Sequence, residues 1–237
     1  MTVEIETSNI TVEGLNAYLA RPAGGSRQGM LLLPMITGIG QRVREFAATI
    51  AVTGVTVLTW DPWHGPSDED SSREELFEML GKLDDEVVLG ELDVLLNHLF
   101  GELGCEKAGV IGWCLGGRFA LMLGGRDERL ANVVAYHPTV PGTPAPNHTV
   151  DAVAETGRIK APVMMMYPGA DSLVPHESFE RLRSALQSRS CGASIVHVYP
   201  NAEHGFSNKP HEGNPENAEA WAISWPQVLE FIRVTTG

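Results

Sequence analysis

The stretch that decides the fold is Gly112-Trp-Cys-Leu-Gly-Gly117, which follows the apolar segment Ala108-Gly-Val-Ile111 and leads into the helical segment Arg118-Phe-Ala-Leu-Met-Leu123. This is the nucleophile-elbow pattern, with cysteine at the apex where serine is usual. The strand and the helix can approach each other only if the residues two before and two after the apex lack bulk. Gly112 and Gly116 meet that need. The apex residue, Cys114, is therefore the candidate nucleophile.

The position of Cys114 also suits an anion. The first turn of a helix offers unpaired backbone N–H groups and the positive end of the helix dipole, which favour a thiolate. The backbone N–H of Leu115 is a candidate for one half of an oxyanion hole. A glycine-rich turn around an inert buried cysteine would leave the same pattern, so the partners of Cys114 must decide between the two interpretations.

Composition limits the class of protein. A chain of 237 residues with 43% hydrophobic and 20% charged residues predicts a single globular domain over 1–237. The formal net charge of -13 offers no basic surface for nucleic acid. The three cysteines match neither a disulfide framework nor a zinc site, and no segment has the length or pattern of a membrane helix or a signal peptide. We therefore expect a cytoplasmic protein that binds neither nucleic acid nor membrane; its oligomeric state stays open.

Segments typical of strands and helices alternate along the chain. After an N-terminal hairpin with its turn near 12–14, the expected strands are 29–33, 54–60, 108–111, 131–136, 161–167 and 193–199, and the expected helices are 41–52, 83–99, 118–123, 177–188 and 215–233. Residues 63–82 are expected to form an acidic excursion over the surface, and Pro226 to kink or split the last helix. The alternation predicts an α/β fold with a mainly parallel sheet, helices on both faces and ligands at the carboxyl ends of the strands.

Two further strand ends carry candidate partners of Cys114. Pro168-Gly-Ala-Asp171 follows the strand at 161–167, and Asn201-Ala-Glu-His204 follows the strand at 193–199. Both therefore reach the sheet edge that holds the elbow. The chain order nucleophile, acid, histidine is that of a catalytic triad in which His204 handles the thiol proton and Asp171 orients the imidazole. Taken alone, Asp171 reads equally well as a turn or capping residue, and His204 as a loop histidine.

The other histidines fit the base role less well. His98 and His197 fall within a helix and a strand, and loops without the right order hold His64, His148, His176 and His211. His137 follows a strand end but precedes Asp171, which reverses the expected order. Cys105 and Cys191 have no comparable context and are expected to be structural thiols.

These motifs resemble the dienelactone hydrolase family of the α/β-hydrolase superfamily. Its Gly-x-Cys-x-Gly-Gly elbow matches 112–117, its acid loop resembles Gly169-Ala-Asp171, and its histidine loop resembles Glu203-His-Gly-Phe206. The resemblance spans nearly the whole chain. It implies an α/β-hydrolase fold and hydrolysis of a small-molecule ester or lactone through an acyl-cysteine, with no metal or cofactor. Carried over by position, Cys114 is the nucleophile, Asp171 the acid and His204 the base.

Two departures from the family bear on the substrate. Members that open dienelactone carry a glutamate that interacts with the resting cysteine, and Met35 stands in its place within Pro34-Met-Ile-Thr-Gly38. They also carry an arginine shortly after the catalytic histidine, which is absent here. Arg73, in the acidic excursion, is a candidate cationic contact or else a solvated surface arginine. Met35 and Phe206 are the other candidate substrate contacts, and the Ile36 N–H is the candidate second oxyanion donor.

Three functions remain open at this point. A cysteine hydrolase accounts for the ordered triad. A ligand-binding or regulatory α/β-hydrolase-like protein without catalysis accounts for the missing glutamate and arginine. A redox-responsive thiol protein accounts for a cysteine placed where its pKa is lowered.

Overall fold

A computed structural model describes residues 3–208 and 213–237 of the chain. Its central element is a β-sheet. The described strands are β1 (Ile5–Val12), β2 (Leu15–Pro22), β3 (Gln28–Leu33), β4 (Thr56–Trp60), β5 (Lys107–Trp113), β6 (Leu130–Tyr136), β7 (Val163–Pro168) and β8 (Ser194–Tyr199). They lie in the order β1-β2-β4-β3-β5-β6-β7-β8. Strand β2 pairs antiparallel with both β1 and β4. All other neighbouring strands, from β4 through β3 to β8, pair in parallel. The predicted mainly parallel sheet is confirmed.

Helices cover both faces of the sheet. They are α1 (Gln41–Val52), α2 (Arg73–Leu80), α3 (Asp85–Phe100), α4 (Leu115–Arg126), α5 (Ala152–Arg158), α6 (His176–Ser188) and α7 (Pro215–Thr236). Side chains of β3 alternate between the two cores: Leu31 and Leu33 pack with α3, α4 and α6, whereas Met30 and Leu32 pack with α1 and α7. The uninterrupted apolar sequence of β3 follows from its burial on both faces. None of the described helices combines the length and apolarity needed to cross a membrane.

The excursion at 63–82 differs from its expected form. It contains α2, whose N-terminus is capped by Ser72 and Glu75 in a reciprocal capping box. It is also anchored, because Trp63 and Leu76 are buried and the N–H of Asp68 donates to the Thr37 carbonyl at 2.9 Å. Most of the excursion lies at the surface, as expected, but a few buried apolar residues anchor it, which the acidic sequence did not indicate.

Of the two expected effects of Pro226, a kink or a split, the split does not occur. Helix α7 runs without a break from Pro215 to Thr236, with Pro226 inside it. Buried residues lie on both sides of the proline, Ser224 before it and Val228 after it, so packing on the sheet holds both halves in one helix. That the chain forms a single domain stays a prediction.

The carboxyl ends of five neighbouring strands meet at one edge of the sheet. In spatial order β3, β5, β6, β7 and β8 lead there into the segments beginning at Pro34, Cys114, His137, Gly169 and Pro200. Every sequence-predicted site residue except Arg73 lies in one of these segments or just beyond the elbow.

Candidate active site

The elbow holds Cys114 in a strained conformation. Its backbone has φ 53° and ψ -111°, in the region of positive φ that residues other than glycine rarely adopt. Two hydrogen bonds hold the turn: the Cys114 N–H donates to the Tyr136 carbonyl at 3.0 Å, and the Gly116 N–H donates to the Pro34 carbonyl at 3.1 Å. A side chain at Gly116 would begin only 2.6 Å from that Pro34 oxygen, so the glycine is needed for this close approach.

The predicted acid and base lie in direct contact. The Nδ1 of His204 lies 2.7 Å from Oδ2 of Asp171, and both side chains are buried, with 9% and 1% of their surfaces exposed. The other carboxylate oxygen, Oδ1, accepts the backbone N–H groups of Leu173 and Val174 at 2.8 and 2.9 Å. These bonds fix the carboxylate as an acceptor, so the imidazole carries its proton on Nδ1 and presents Nε2 on its other side.

The thiol and the imidazole shift each other's pKa. Burial opposes the charged imidazolium, but the hydrogen bond to Asp171 and the nearby Cys114 sulfur outweigh it and raise the pKa of His204 to about 10. Burial likewise opposes the thiolate, yet His204, the Thr139 hydroxyl and the Leu115 N–H together lower the pKa of Cys114. The buried Nε2 of His204 has no hydrogen bond of ordinary geometry within the described part of the chain. These shifts favour a thiolate and an imidazolium side by side.

Thr139 contacts the sulfur and was missed in the sequence. Its Oγ1 lies 2.9 Å from Sγ of Cys114. Its backbone N–H also donates to the Cys114 carbonyl at 3.0 Å. A signal was available, because Thr139 follows the end of β6, the strand beside β5.

The two candidate oxyanion donors come from different segments. Leu115 follows it at the start of α4, and its N–H contributes to lowering the thiol pKa. Ile36 lies after β3, where its carbonyl accepts the indole N–H of Trp63 at 2.8 Å, a contact that sequence reasoning also missed. No acceptor for the Ile36 N–H is present within 3–208 and 213–237. The Ile36 amide is therefore available to a ligand.

The predicted substrate contacts fall in three different environments. Met35 is buried in the apolar cluster that Cys114 also contacts. Phe206 is buried against Tyr136 and His137, with ring centroids 5.9 and 5.6 Å away, so it supports the histidine loop from behind. Arg73 lies on the exposed face of α2 with its guanidinium 5.4 Å from the ring of Phe77. In the described residues, the structure does not bring Arg73 into hydrogen-bond or ion-pair contact with the triad.

The remaining histidines lie outside the Asp171 interaction. His137 is buried edge-on to His204 with ring centroids 4.7 Å apart, and its Nε2 lies 3.3 Å from Oγ of Ser207. His176 is the first residue of α6 rather than a loop residue. His211 lies outside the described residues.

Arg42 anchors the histidine loop and carried no sequence signal. Its guanidinium donates two hydrogen bonds to the carbonyl of Ser207, at 3.0 and 2.8 Å. The same group lies over the rings of Phe46 and Trp221, 4.9 and 5.3 Å from their centroids. Arg42 is thus already engaged by the protein.

A cavity of about 260 Å³ has Val140, His148 and Arg181 in its lining. Its buried cation, Arg118, is neutralised by a bidentate ion pair with Asp85 at 2.7 and 2.6 Å. Cys114 does not line this cavity. Among the described residues, no group of three or more His, Cys, Asp or Glu side chains is arranged to hold a metal ion.

Solved structures with this architecture include several hydrolases. A putative dienelactone hydrolase from Klebsiella pneumoniae superimposes with a TM-score of 0.83 at 23% identity, covering 97% of this chain and 98% of that one. A dienelactone hydrolase-like promiscuous phosphotriesterase from metagenomic libraries superimposes with a TM-score of 0.81 at 20% identity over all of both chains. At these identities the likeness establishes the fold, which is the α/β-hydrolase fold.

Sequence comparison goes further. The model of the dienelactone hydrolase family matches residues 15–235. A carboxymethylenebutenolidase from Rhodococcus opacus is 29% identical over 211 residues, 88% of this chain and 81% of that protein. A putative carboxymethylenebutenolidase from Salmonella typhi is 27% identical over 229 residues, 93% of this chain and 83% of that protein. The chain therefore belongs to the dienelactone hydrolase family and is a hydrolase of the ester and lactone class.

Proposed function

We propose that the chain hydrolyses small neutral esters or lactones through Cys114, His204 and Asp171, by way of an acyl-cysteine intermediate. The observation that carries the proposal is the 2.7 Å contact between Asp171 and His204 beside an elbow cysteine. A base held by a buried acid next to a strained nucleophile is the arrangement that acyl transfer needs.

The chemistry proceeds in two halves. The Cys114 thiolate attacks the ester carbonyl, and the oxyanion that forms is bound by the N–H groups of Leu115 and Ile36. When this tetrahedral intermediate collapses, the bond to the alkoxy group breaks and the alkoxy oxygen takes the Nε2 proton of His204. An acyl-cysteine and a neutral imidazole remain. His204 then removes a proton from water as that water attacks the acyl carbon, and the carboxylic acid and the thiolate are released.

The surroundings of the sulfur favour a substrate without charge. Met35, at the position of the family's glutamate, brings no charge and is buried in the apolar cluster that Cys114 also contacts. Two candidate cations within residues 3–208 and 213–237 are engaged or exposed: Arg42 binds the Ser207 carbonyl, and Arg73 lies on the exposed face of α2. The relatives named carboxymethylenebutenolidase extend the proposed class to lactones, whereas the proposed neutrality of the substrate departs from the carboxylate that their name implies.

Steady-state kinetics with neutral and acidic substrates tests this proposal. We compare 4-nitrophenyl acetate and a neutral lactone with a half-ester that carries a free carboxylate. The neutral substrates should have the higher kcat/KM. A preference for the acidic substrate by tenfold or more would refute the substrate class.

Variants test the triad. Cys114→Ala should lower kcat/KM by about 10³-fold or more, and His204→Gln by a comparable factor, because members of a triad act as a unit. Cys191→Ser is the matched control, because Cys191 is an exposed free cysteine, and it should leave kcat/KM unchanged. Tight ligand binding with no turnover by the wild type would instead favour the non-catalytic alternative. A cytoplasmic location stays a prediction from the cysteine pattern.

A further inference from the structure

A neutral hydroxyl group lies within hydrogen-bond distance of the sulfur. Thr139 Oγ1 lies 2.9 Å from Cys114 Sγ and has no other hydrogen-bond partner in the described part of the chain. Met35 of the loop after β3, buried in the apolar cluster that Cys114 also contacts, has no polar hydrogen to donate. The loop after β6 therefore supplies a contact to the sulfur in addition to those of His204 and the Leu115 N–H.

We propose that Thr139 is a positioning residue of the active site, whose hydroxyl donates a hydrogen bond to the Cys114 thiolate and holds the sulfur ready in the elbow before substrate binds. The proposal rests on Cys114 being the nucleophile. A hydrogen bond to an ionised acceptor is about twice as strong as one between neutral groups, so this contact favours the thiolate over the thiol.

The backbone keeps Thr139 in place independently of its side chain. Its N–H donates to the Cys114 carbonyl at 3.0 Å, and the Cys114 N–H donates to the Tyr136 carbonyl at 3.0 Å. These two bonds tie the loop after β6 to the elbow. A substitution that removes the Thr139 hydroxyl should therefore remove one contact to the sulfur without moving the loop.

Among the residues that the structure describes, few charged and titratable groups lie around the sulfur. His204 from the loop after β8 lowers the pKa of the Cys114 thiol, and Asp171 and His137 lie behind that imidazole. The side chain of Arg118 on α4 is paired with Asp85. In this setting a carboxylate beside the sulfur would oppose ionisation, whereas a hydroxyl donor supports it. The thiolate then forms without help from substrate.

Alkylation of Cys114 by iodoacetamide tests the proposal without requiring any turnover. The rate at Cys114 is followed by peptide-mapping mass spectrometry from about pH 5 to about pH 10, because only the thiolate reacts. Thr139→Val keeps the shape of the side chain and removes the hydroxyl. It should raise the midpoint of the alkylation profile by about one pH unit, which is an about tenfold smaller thiolate fraction below the midpoint.

Two further variants separate positioning from packing. Thr139→Ser retains the hydroxyl and should keep the wild-type midpoint. Thr53→Val is the matched control: it removes a half-buried hydroxyl that donates to the Ile50 carbonyl at 2.7 Å just after α1, at the opposite edge of the sheet, and it should also keep the wild-type midpoint.

Each outcome of the alkylation experiment either supports or refutes the role of Thr139. A wild-type midpoint in Thr139→Val, or a raised midpoint in Thr139→Ser, would overturn the proposal, because the hydroxyl would then be irrelevant or only packing would matter. If Thr139→Val does not fold by circular dichroism, Thr139→Ala takes its place with the same expected shift. The shift in a chain that turns over no ester would support the Thr139 role while refuting the proposed function. Ester turnover through Cys114 with no shift of the alkylation midpoint would support the proposed function and refute the Thr139 role.

Discussion

Substitution of Gly116 by alanine tests whether catalysis depends on the close approach of the elbow to the loop after β3. A Cβ at Gly116 would lie 2.6 Å from the Pro34 oxygen and 2.5 Å from the Leu33 carbonyl carbon. Ordinary contacts require more than 3 Å, so the elbow and the loop after β3 must separate by roughly 1 Å. That loop carries the Ile36 N–H, and a displacement of roughly 1 Å at a catalytic group costs about 10²-fold in rate. We therefore expect kcat/KM of folded Gly116→Ala to fall about 10²-fold.

Two glycine variants serve as controls for this experiment. Gly125→Ala places a Cβ 2.8 Å from the Glu155 carbonyl carbon at the far end of α4, so it should lower stability and leave kcat/KM within about twofold. Gly90→Ala, inside α3 with no described atom within 4 Å of the new Cβ, should raise stability by about 0.5–1 kcal/mol. Urea unfolding and ester kinetics on the three variants provide the measurements. Wild-type kcat/KM in Gly116→Ala, or equal losses in Gly116→Ala and Gly125→Ala, would refute the reasoning.

Three other predictions concern the acid, the titration of the site and a buried ion pair. Asp171→Asn should lower kcat/KM by about 10³-fold or more, because two backbone amides hold its oxygen and turn its NH₂ towards the protonated Nδ1 of His204; steady-state kinetics checks this. The value of kcat/KM should rise with pH below the ordinary thiol pKa, because the Cys114 thiolate forms there. It should fall near pH 10, because the His204 imidazolium loses its proton. Activity that still increases beyond that pH contradicts the assignment. Asp85→Asn should destabilise the fold by about 3–5 kcal/mol, measured in urea, because it leaves Arg118 buried without its partner. Burial raises the pKa of Asp85, but Arg118 outweighs it and lowers that pKa, so in the wild type this stabilisation is complete above pH 3.8 and is lost as the pH falls through the lowered value.

The sheet and the positions of the triad could be predicted because both depend on local patterns. Apolar strands ending in turn residues indicated a parallel sheet, and the carboxyl ends of such strands meet at one edge. Cys114, Asp171 and His204 each follow such an end, so their approach could be expected from topology. His204 and Asp171 lie in contact, with Nδ1 2.7 Å from Oδ2. Their catalytic roles stay predictions.

The supporting residues could not be predicted because their contacts join distant segments. Arg42 reaches Ser207 across 165 positions of sequence, and Trp63 reaches Ile36 from the excursion. Neither residue belongs to a recognisable pattern, since an arginine or tryptophan near a loop is common in any enzyme. Thr139 is an intermediate case: its strand end was visible, but its contact with the sulfur depends on the turn after His137, whose φ of 35° no local pattern indicated.

The central claim is that Cys114 carries the acyl group during turnover. Mass spectrometry of the intact protein after rapid acid quenching, during hydrolysis of an activated ester, tests it most directly. The account predicts one added acyl group, mapped to Cys114, which persists in Cys191→Ser and is absent in Cys114→Ala. Continued turnover by Cys114→Ala, or an acyl group on another residue, would contradict it.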